Sequence, residues 1–131
     1  MNTKIIMTSS ALLMGFAGLI LTFFPDELAG ILNMEDNRIS ILFLQMMGAM
    51  YFAFGMLNWM SKGSRIGGIY NRPIAIANMT HFLMVGITMA KLMLAGGVLP
   101  VEFWALVSVY LAYAVVFVRI LFKTPKIGSS Q

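Results

Sequence analysis

The sequence predicts an all-α integral membrane protein, a four-helix bundle of up-down-up-down topology with both termini in the cytoplasm. Three observations carry this. Of the 131 residues, 60% are hydrophobic and only 11% are charged, and the mean hydropathy is +0.86. A soluble domain of this size has too much surface to hide that much apolar area. The apolar residues come in four runs of about 20, each long enough to cross the ~30 Å hydrocarbon core as a helix. The charges lie in or beside the gaps between these runs and separate into a basic and an acidic set. The chain is long enough for a single transmembrane domain.

The first span is predicted over 5–24. Lys4 precedes it in the manner of a signal-peptide n-region. The apolar run exceeds the usual ~7–15-residue h-region, and no A-x-A cleavage pattern follows, so it reads as a retained helix. Ala11, Gly15 and Gly18 fall on roughly one face and permit close approach of another backbone. Pro25 ends the run. The external loop, 25–38, is acidic, with Asp26, Glu27, Glu35 and Asp36 against Arg38. Leu28, Ala29, Ile31, Leu32 and Met34 between those charges make a short amphipathic pattern, a helical turn or two at the interface. The alternating carboxylates and central glycine of an EF-hand loop are missing, so the loop reads as solvated rather than calcium-binding.

The second span is predicted over 39–60, with Gly48 and Gly55 sharing one face and Ala49 and Ala53 another. Gln45 is polar near its start. Asn58 and Trp59 sit near its end, where an indole anchors at headgroup level. The cytoplasmic loop, 61–73, carries Lys62, Arg65 and Arg72 and no acid. Pro73 suits the first turn of the following helix, where its missing N–H does no harm. The third span, 73–95, contains Asn78, Thr80, His81, Thr88 and Lys91 and the small pair Gly86 and Ala90, and Gly96-Gly97 stops it. The fourth, 101–122, has Glu102 and Trp104 at its start, Tyr110 and Tyr113 in its middle and Arg119 near its end. The tail, 123–131, reads as a frayed end.

Charge then sets the orientation. Seven of the nine basic residues (Lys4, Lys62, Arg65, Arg72, Arg119, Lys123, Lys126) fall on one side, and Arg38 and Lys91 fall on the other. The positive-inside rule places the first set in the cytoplasm, making a multi-pass protein of the cytoplasmic (inner) membrane with N-in/C-in topology. All five carboxylates lie on the opposite side. Short connections favour sequential antiparallel packing. The net charge of +4 does not indicate nucleic acid, because the basic residues sit at helix ends rather than along one exposed face. With no cysteine, disulfides, thiolate chemistry and cysteine-ligated metals are excluded. Thirteen methionines read as adaptable packing, and no Met-x-x-Met cluster converges with histidines as a copper site prefers. No metal site is assigned.

The candidate site lies where the second and third spans meet the basic loop. Asn78 and the single histidine, His81, are three apart and share a helix face. His81 lies about 12 Å along its helix from Pro73, within the cytoplasmic half of the hydrocarbon. Asn58 reaches a similar depth from the other side of the loop. Polar groups in lipid turn toward partners, so these three are expected to face the bundle interior. There they act as an interhelical clamp, Asn58 to Asn78 or His81, as a ligand or proton-transfer site, since histidine titrates near neutrality, or, with a dimer supplying a second histidine, as a haem or metal site. Above them, Gly67 and Gly68 can turn backbone N–H groups toward an anion, and Arg65 and Arg72 can clasp a phosphate or carboxylate. The alternative is a short turn whose basic residues enforce topology and attract anionic headgroups. Lys91 and Glu102 flank the third loop, either as a structural pair or as a proton or ion relay. Tyr110 and Tyr113 are expected either to pack with their hydroxyls bonded or to complete a polar pocket opposite His81 or Gln45.

The run Leu57-Asn58-Trp59-Met60, followed by 66–73 (Ile-Gly-Gly-Ile-Tyr-Asn-Arg-Pro) and by Asn78-x-x-His81-Phe82, resembles small bacterial four-helix membrane proteins that are similar in size and layout to DoxX-like proteins. The resemblance covers most of the chain in architecture and residues 57–82 in motif. It implies a four-helix integral membrane fold. Through the link of DoxX-like proteins to quinone-dependent redox assemblies, it implies a quinone as a cofactor to be considered. No catalytic residue is carried over.

The expected function is non-enzymatic, as a lipid- or amphiphile-binding protein or an accessory subunit of a membrane complex. The ligand-binding residues are Asn58, Asn78 and His81, with Arg65, Gly67, Gly68 and Arg72 as an anion-facing rim. Membrane lipids, further copies of the chain or a larger membrane complex are the expected partners. Alternatives are a quinone-associated redox subunit and a small proton-coupled transporter acting as an oligomer.

Overall fold

The computed structural model describes residues 2–34, 37–64, 66, 68–96 and 100–122, with Ile69 in its backbone only. Glu35, Asp36, Arg65, Gly67 and the tail from Lys123 therefore lie outside the described residues. The described chain is helical: α1 is Thr3–Phe23, α2 Pro25–Ile31, α3 Arg38–Ser61, α4 Arg72–Leu94 and α5 Phe103–Phe122, with a 3₁₀ turn at Ile69–Asn71. Of the five helices, α1, α3, α4 and α5 are long and apolar enough to cross a membrane, at 21, 24, 23 and 20 residues. Their surfaces fit that setting. Phe16 is 64% exposed, Phe23 70% and Met60 77%. Apolar surface this extensive marks contact with lipid rather than water.

Each boundary has a local cause. The Asn2 side chain accepts a hydrogen bond from the Lys4 N–H at 3.1 Å and caps α1. Asn37 caps α3 in the same way through the Ile39 N–H at 2.9 Å. Pro25 and Pro73 sit in the first turns of α2 and α4, where proline costs nothing. The external loop forms one amphipathic helix, α2, which buries Pro25 and Ala29. It closes in a Schellman motif: the Met34 N–H reaches the Ala29 carbonyl at 3.0 Å and the Asn33 N–H reaches that of Gly30 at 3.2 Å. Asn33 takes the left-handed position at φ 51° that usually calls for glycine, a conformation asparagine tolerates. Gly96, at φ 76°, follows the end of α4.

The contacts group the chain into two compact units. In the first, α1 and α3 form an antiparallel hairpin with α2 at its turn. Gly18 meets Gly48 and Phe52, Gly15 meets Gly55, and Ser10 meets Asn58, so residue numbers fall on α1 as they rise on α3. The seam is built of backbone. A Cβ placed on Gly55 would stand 2.8 Å from the Gly15 nitrogen and 3.0 Å from the Ala11 carbonyl oxygen. The expected small-residue face of Ala11, Gly15 and Gly18 is thus the face that receives α3. Ala49 and Ala53, also expected as a small face, are exposed. In the second unit, α4 and α5 form another antiparallel hairpin, in which Gly86 meets Leu111 and Tyr110 while Phe82 meets Tyr113 and Phe117.

Charge segregates within each hairpin. Lys4 and Lys62 mark the open end of the first, and Asp26, Glu27 and Arg38 lie at its turn. Arg72 and Arg119 lie at the open end of the second, and Lys91 and Glu102 at its turn. The expected Lys91–Glu102 pair does not form among the described residues; both side chains are exposed, each at a helix end where water solvates it more cheaply than a partner would.

Candidate functional site

The buried polar side chains of the described spans are Ser10, Asn58, Ser61 and Asn78. Ser10, Asn58 and Asn78 have no exposure at all. In an apolar helix each must be satisfied by protein.

Asn58 is placed by the last turns of α3, on the face that carries Gly55 and Gly48. Its Nδ2 donates to Ser10 Oγ at 3.1 Å and lies 3.8 Å from Met14 Sδ, both on α1. Ser10 in turn donates to the Met7 carbonyl at 3.0 Å. The relay therefore runs from α3 through one hydroxyl to the α1 backbone, inside the first hairpin. Sequence reasoning missed Ser10. The signal was present: it shares the Ala11–Gly18 face, and antiparallel pairing of Gly18 with Gly48 brings it level with Asn58. Gln45 also belongs to this hairpin, its Nε2 lying 3.4 Å from the Thr22 carbonyl.

Asn78 and His81 are on α4. Asn78 Nδ2 donates to the Ile74 carbonyl one turn back, at 2.9 Å. The His81 ring lies 6.0 Å from that of Tyr110 and 5.4 Å edge-on to that of Phe82. Tyr110, buried on α5, also packs edge-on against Phe82 at 5.2 Å. Phe82 stacks nearly parallel on Tyr113 at 4.8 Å and on Phe117 at 5.9 Å. The histidine thus sits at one end of an aromatic ladder that forms the core of the second hairpin. Of the two tyrosines, Tyr110 is the one beside His81, and Tyr113 serves the stack.

The rim residues are described in part. Arg72 begins α4 and is exposed. Gly68 has extended backbone, φ −68° and ψ 162°, open to any residue and unlike the αR–αL pair of an anion nest. Its carbonyl accepts the Asn71 N–H at 3.0 Å and closes the 3₁₀ turn. Arg65 and Gly67 lie outside the described residues. Tyr70 in that turn is 94% exposed. At the end of α3, Lys62 Nζ stands 3.1 Å from the Trp59 ring centroid. This cation–π pair suits the headgroup layer, where an indole and an ammonium both find partners.

Among the described residues, no group of three or more His, Asp or Glu side chains converges as a metal site. The arrangement offers a buried carboxamide, an imidazole flanked by a phenol and aromatic faces, and an exposed cation at the mouth of α4. No protein-family model, no curated protein and no solved structure matches the chain.

Proposed function

We propose that this is a four-helix protein of the cytoplasmic membrane, N-in/C-in, that binds a lipid or another small amphiphile or serves as an accessory subunit of a membrane complex. Asn78 and His81 form the polar pair of the site on α4, and Arg72 at the start of that helix faces an anionic headgroup. The supporting observation is Asn78, with no exposure, one turn before His81 in an apolar span. Polar side chains at such depth are costly and usually functional. Native mass spectrometry of the protein extracted from membranes tests the reading. A bound amphiphile retained by the parent chain and lost from His81→Ala and Asn78→Leu supports it; a chain that carries nothing, or variants that keep the ligand, overturns it.

A second reading is a quinone-associated redox subunit, in line with the DoxX-like resemblance. The juxtaposition of His81 with Tyr110 favours it, since imidazole and phenol are both donors suited to a quinone carbonyl. Quinone should then co-purify, and His81→Ala should release it. Unchanged quinone content in that variant rejects the role of His81.

A further inference from the structure

The first hairpin carries a second surface feature, separate from the polar cluster. On α1, Met7, Ser10, Ala11, Met14 and Gly18 are buried. At about 100° per residue, Ile5, Ser9 and Leu12 lie on the side turned away from that stripe. With Lys4 and Thr8 they line a groove of about 290 Å³. Ile5 is 64% exposed and Leu12 49%.

The groove has a defined chemistry. Its two hydroxyls are already committed as donors, Thr8 Oγ1 to the Lys4 carbonyl at 2.8 Å and Ser9 Oγ to the Ile6 carbonyl at 3.1 Å. The floor therefore offers no free hydroxyl donor, and beside the two hydroxyl oxygens it presents hydrocarbon. Lys4 stands at one end and is exposed. The described carboxylates of this hairpin, Asp26 and Glu27, are at its opposite end, beyond the far end of α1. From Lys4 to Leu12 the groove runs about 12 Å along the helix, close to one leaflet of a ~30 Å hydrocarbon core. Lys62 over Trp59 marks the headgroup layer at the same end of the hairpin.

We propose that this groove seats one anionic phospholipid, its phosphate against Lys4 and an acyl chain along Ile5, Thr8, Ser9 and Leu12. The proposal goes beyond the polar cluster above and stands or fails without it. Charge complementarity selects the occupant: an apolar trough of one leaflet's depth with Lys4 at its mouth fits an anionic head joined to a hydrocarbon chain.

The test uses the full chain with Trp59→Phe and Trp104→Phe, both native sites being partly exposed, and Leu12→Trp as reporter. The protein is reconstituted in phosphatidylcholine vesicles containing either brominated phosphatidylglycerol or brominated phosphatidylcholine, and quenching of the introduced indole is compared. Phosphatidylglycerol should quench with roughly fivefold higher apparent affinity, as one lysine near an anionic surface supplies. Lys4→Gln should abolish the preference and Lys4→Arg should keep it. Equal quenching by the two lipids overturns the proposal, as does a preference that survives Lys4→Gln. Quenching by neither lipid also overturns it, since the groove is then covered by protein, a second copy included.

Discussion

Gly18→Ala tests how the first hairpin is held. A Cβ at position 18 would stand 2.6 Å from the Phe52 nitrogen, 2.8 Å from the Gly48 carbonyl oxygen and 2.9 Å from the Phe52 Cα. All three are backbone atoms of α3, so no change of rotamer relieves the overlap. Ordinary contact begins near 3.4 Å, and α1 and α3 must part locally by about 0.8 Å. In lipid, helices associate largely through such close packing, because the solvent is as apolar as their side chains. A gap of that size forfeits roughly a quarter to a half of the dispersion energy of the atoms it separates. Overpacking of this kind costs about 1–3 kcal/mol.

Gly15 supplies the control. It lies one turn earlier on the same helix, and a Cβ there meets nothing within 4 Å. The gain in helix propensity from Gly to Ala, up to about 1 kcal/mol, acts at both positions and cancels in the comparison. Unfolding of the two full-length variants in mixed micelles, by dodecyl sulfate titration followed by far-UV circular dichroism, should place Gly18→Ala below Gly15→Ala by about 1–3 kcal/mol. Gly55→Ala, whose Cβ would meet the α1 backbone, should fall with Gly18→Ala. Equal stability of Gly18→Ala and Gly15→Ala would refute the backbone seam.

The Ser10–Asn58 hydrogen bond is open to a double-mutant cycle with Ser10→Ala and Asn58→Ala. The coupling should be about 0.6 kcal/mol and at most about 1.7, the range for interhelical bonds in membranes, and no coupling would mean that the two side chains do not bond in lipid. Phe82→Ala should destabilise by about 3–5 kcal/mol, because Phe82 is fully buried among Tyr110, Tyr113 and Phe117 and no neighbour can fill its volume. It should also collapse the near-UV tyrosine signal; a native-like signal at unchanged stability would show that the ladder is not the core of this hairpin.

The four spans were legible because one physical length, the hydrocarbon thickness, sets their period. The observed ends differ from the expected ones by two residues or fewer. The start of α5 moved from 101 to Phe103 because Val101 and Glu102 form a turn instead, accepting the Trp104 and Ala105 N–H groups at 3.1 Å each. The glycine seam was legible from Ala11, Gly15, Gly18, Gly48 and Gly55 because nothing else in a span explains glycine at helical spacing. Ser10 as a partner of Asn58 was not. Chain order gives α3 two neighbours, and the polar pair Asn78 and His81 is the louder signal, while a serine among alanine and glycine looks like one more small residue. The cap at Asn33 was hidden for a similar reason, since asparagine marks a loop without saying which turn closes it.

The two hairpins differ in what they can yield to a ligand. In the first, Gly18 and Gly55 meet backbone, and Gly48 meets backbone together with Thr22. Moving α1 from α3 shifts whole helices, so Asn58 and Ser10 sit in a seam that resists opening. In the second, the glycine approach is softer: a Cβ on Gly86 would meet Leu111 Cδ2 at 3.0 Å, the far end of a flexible side chain. The ring contacts Phe82 makes with Tyr110, Tyr113 and Phe117 are side-chain contacts too, and His81 is only half-buried beside Tyr110. Side chains rotate to admit a guest at far lower cost than helices separate. If the chain binds an amphiphile as proposed, the softer packing beside His81 is where it meets least resistance. On that proposal, Asn58 variants should lose stability before ligand and His81 variants ligand before stability. The same loss pattern from both would mean that the clamp and the site are one structure.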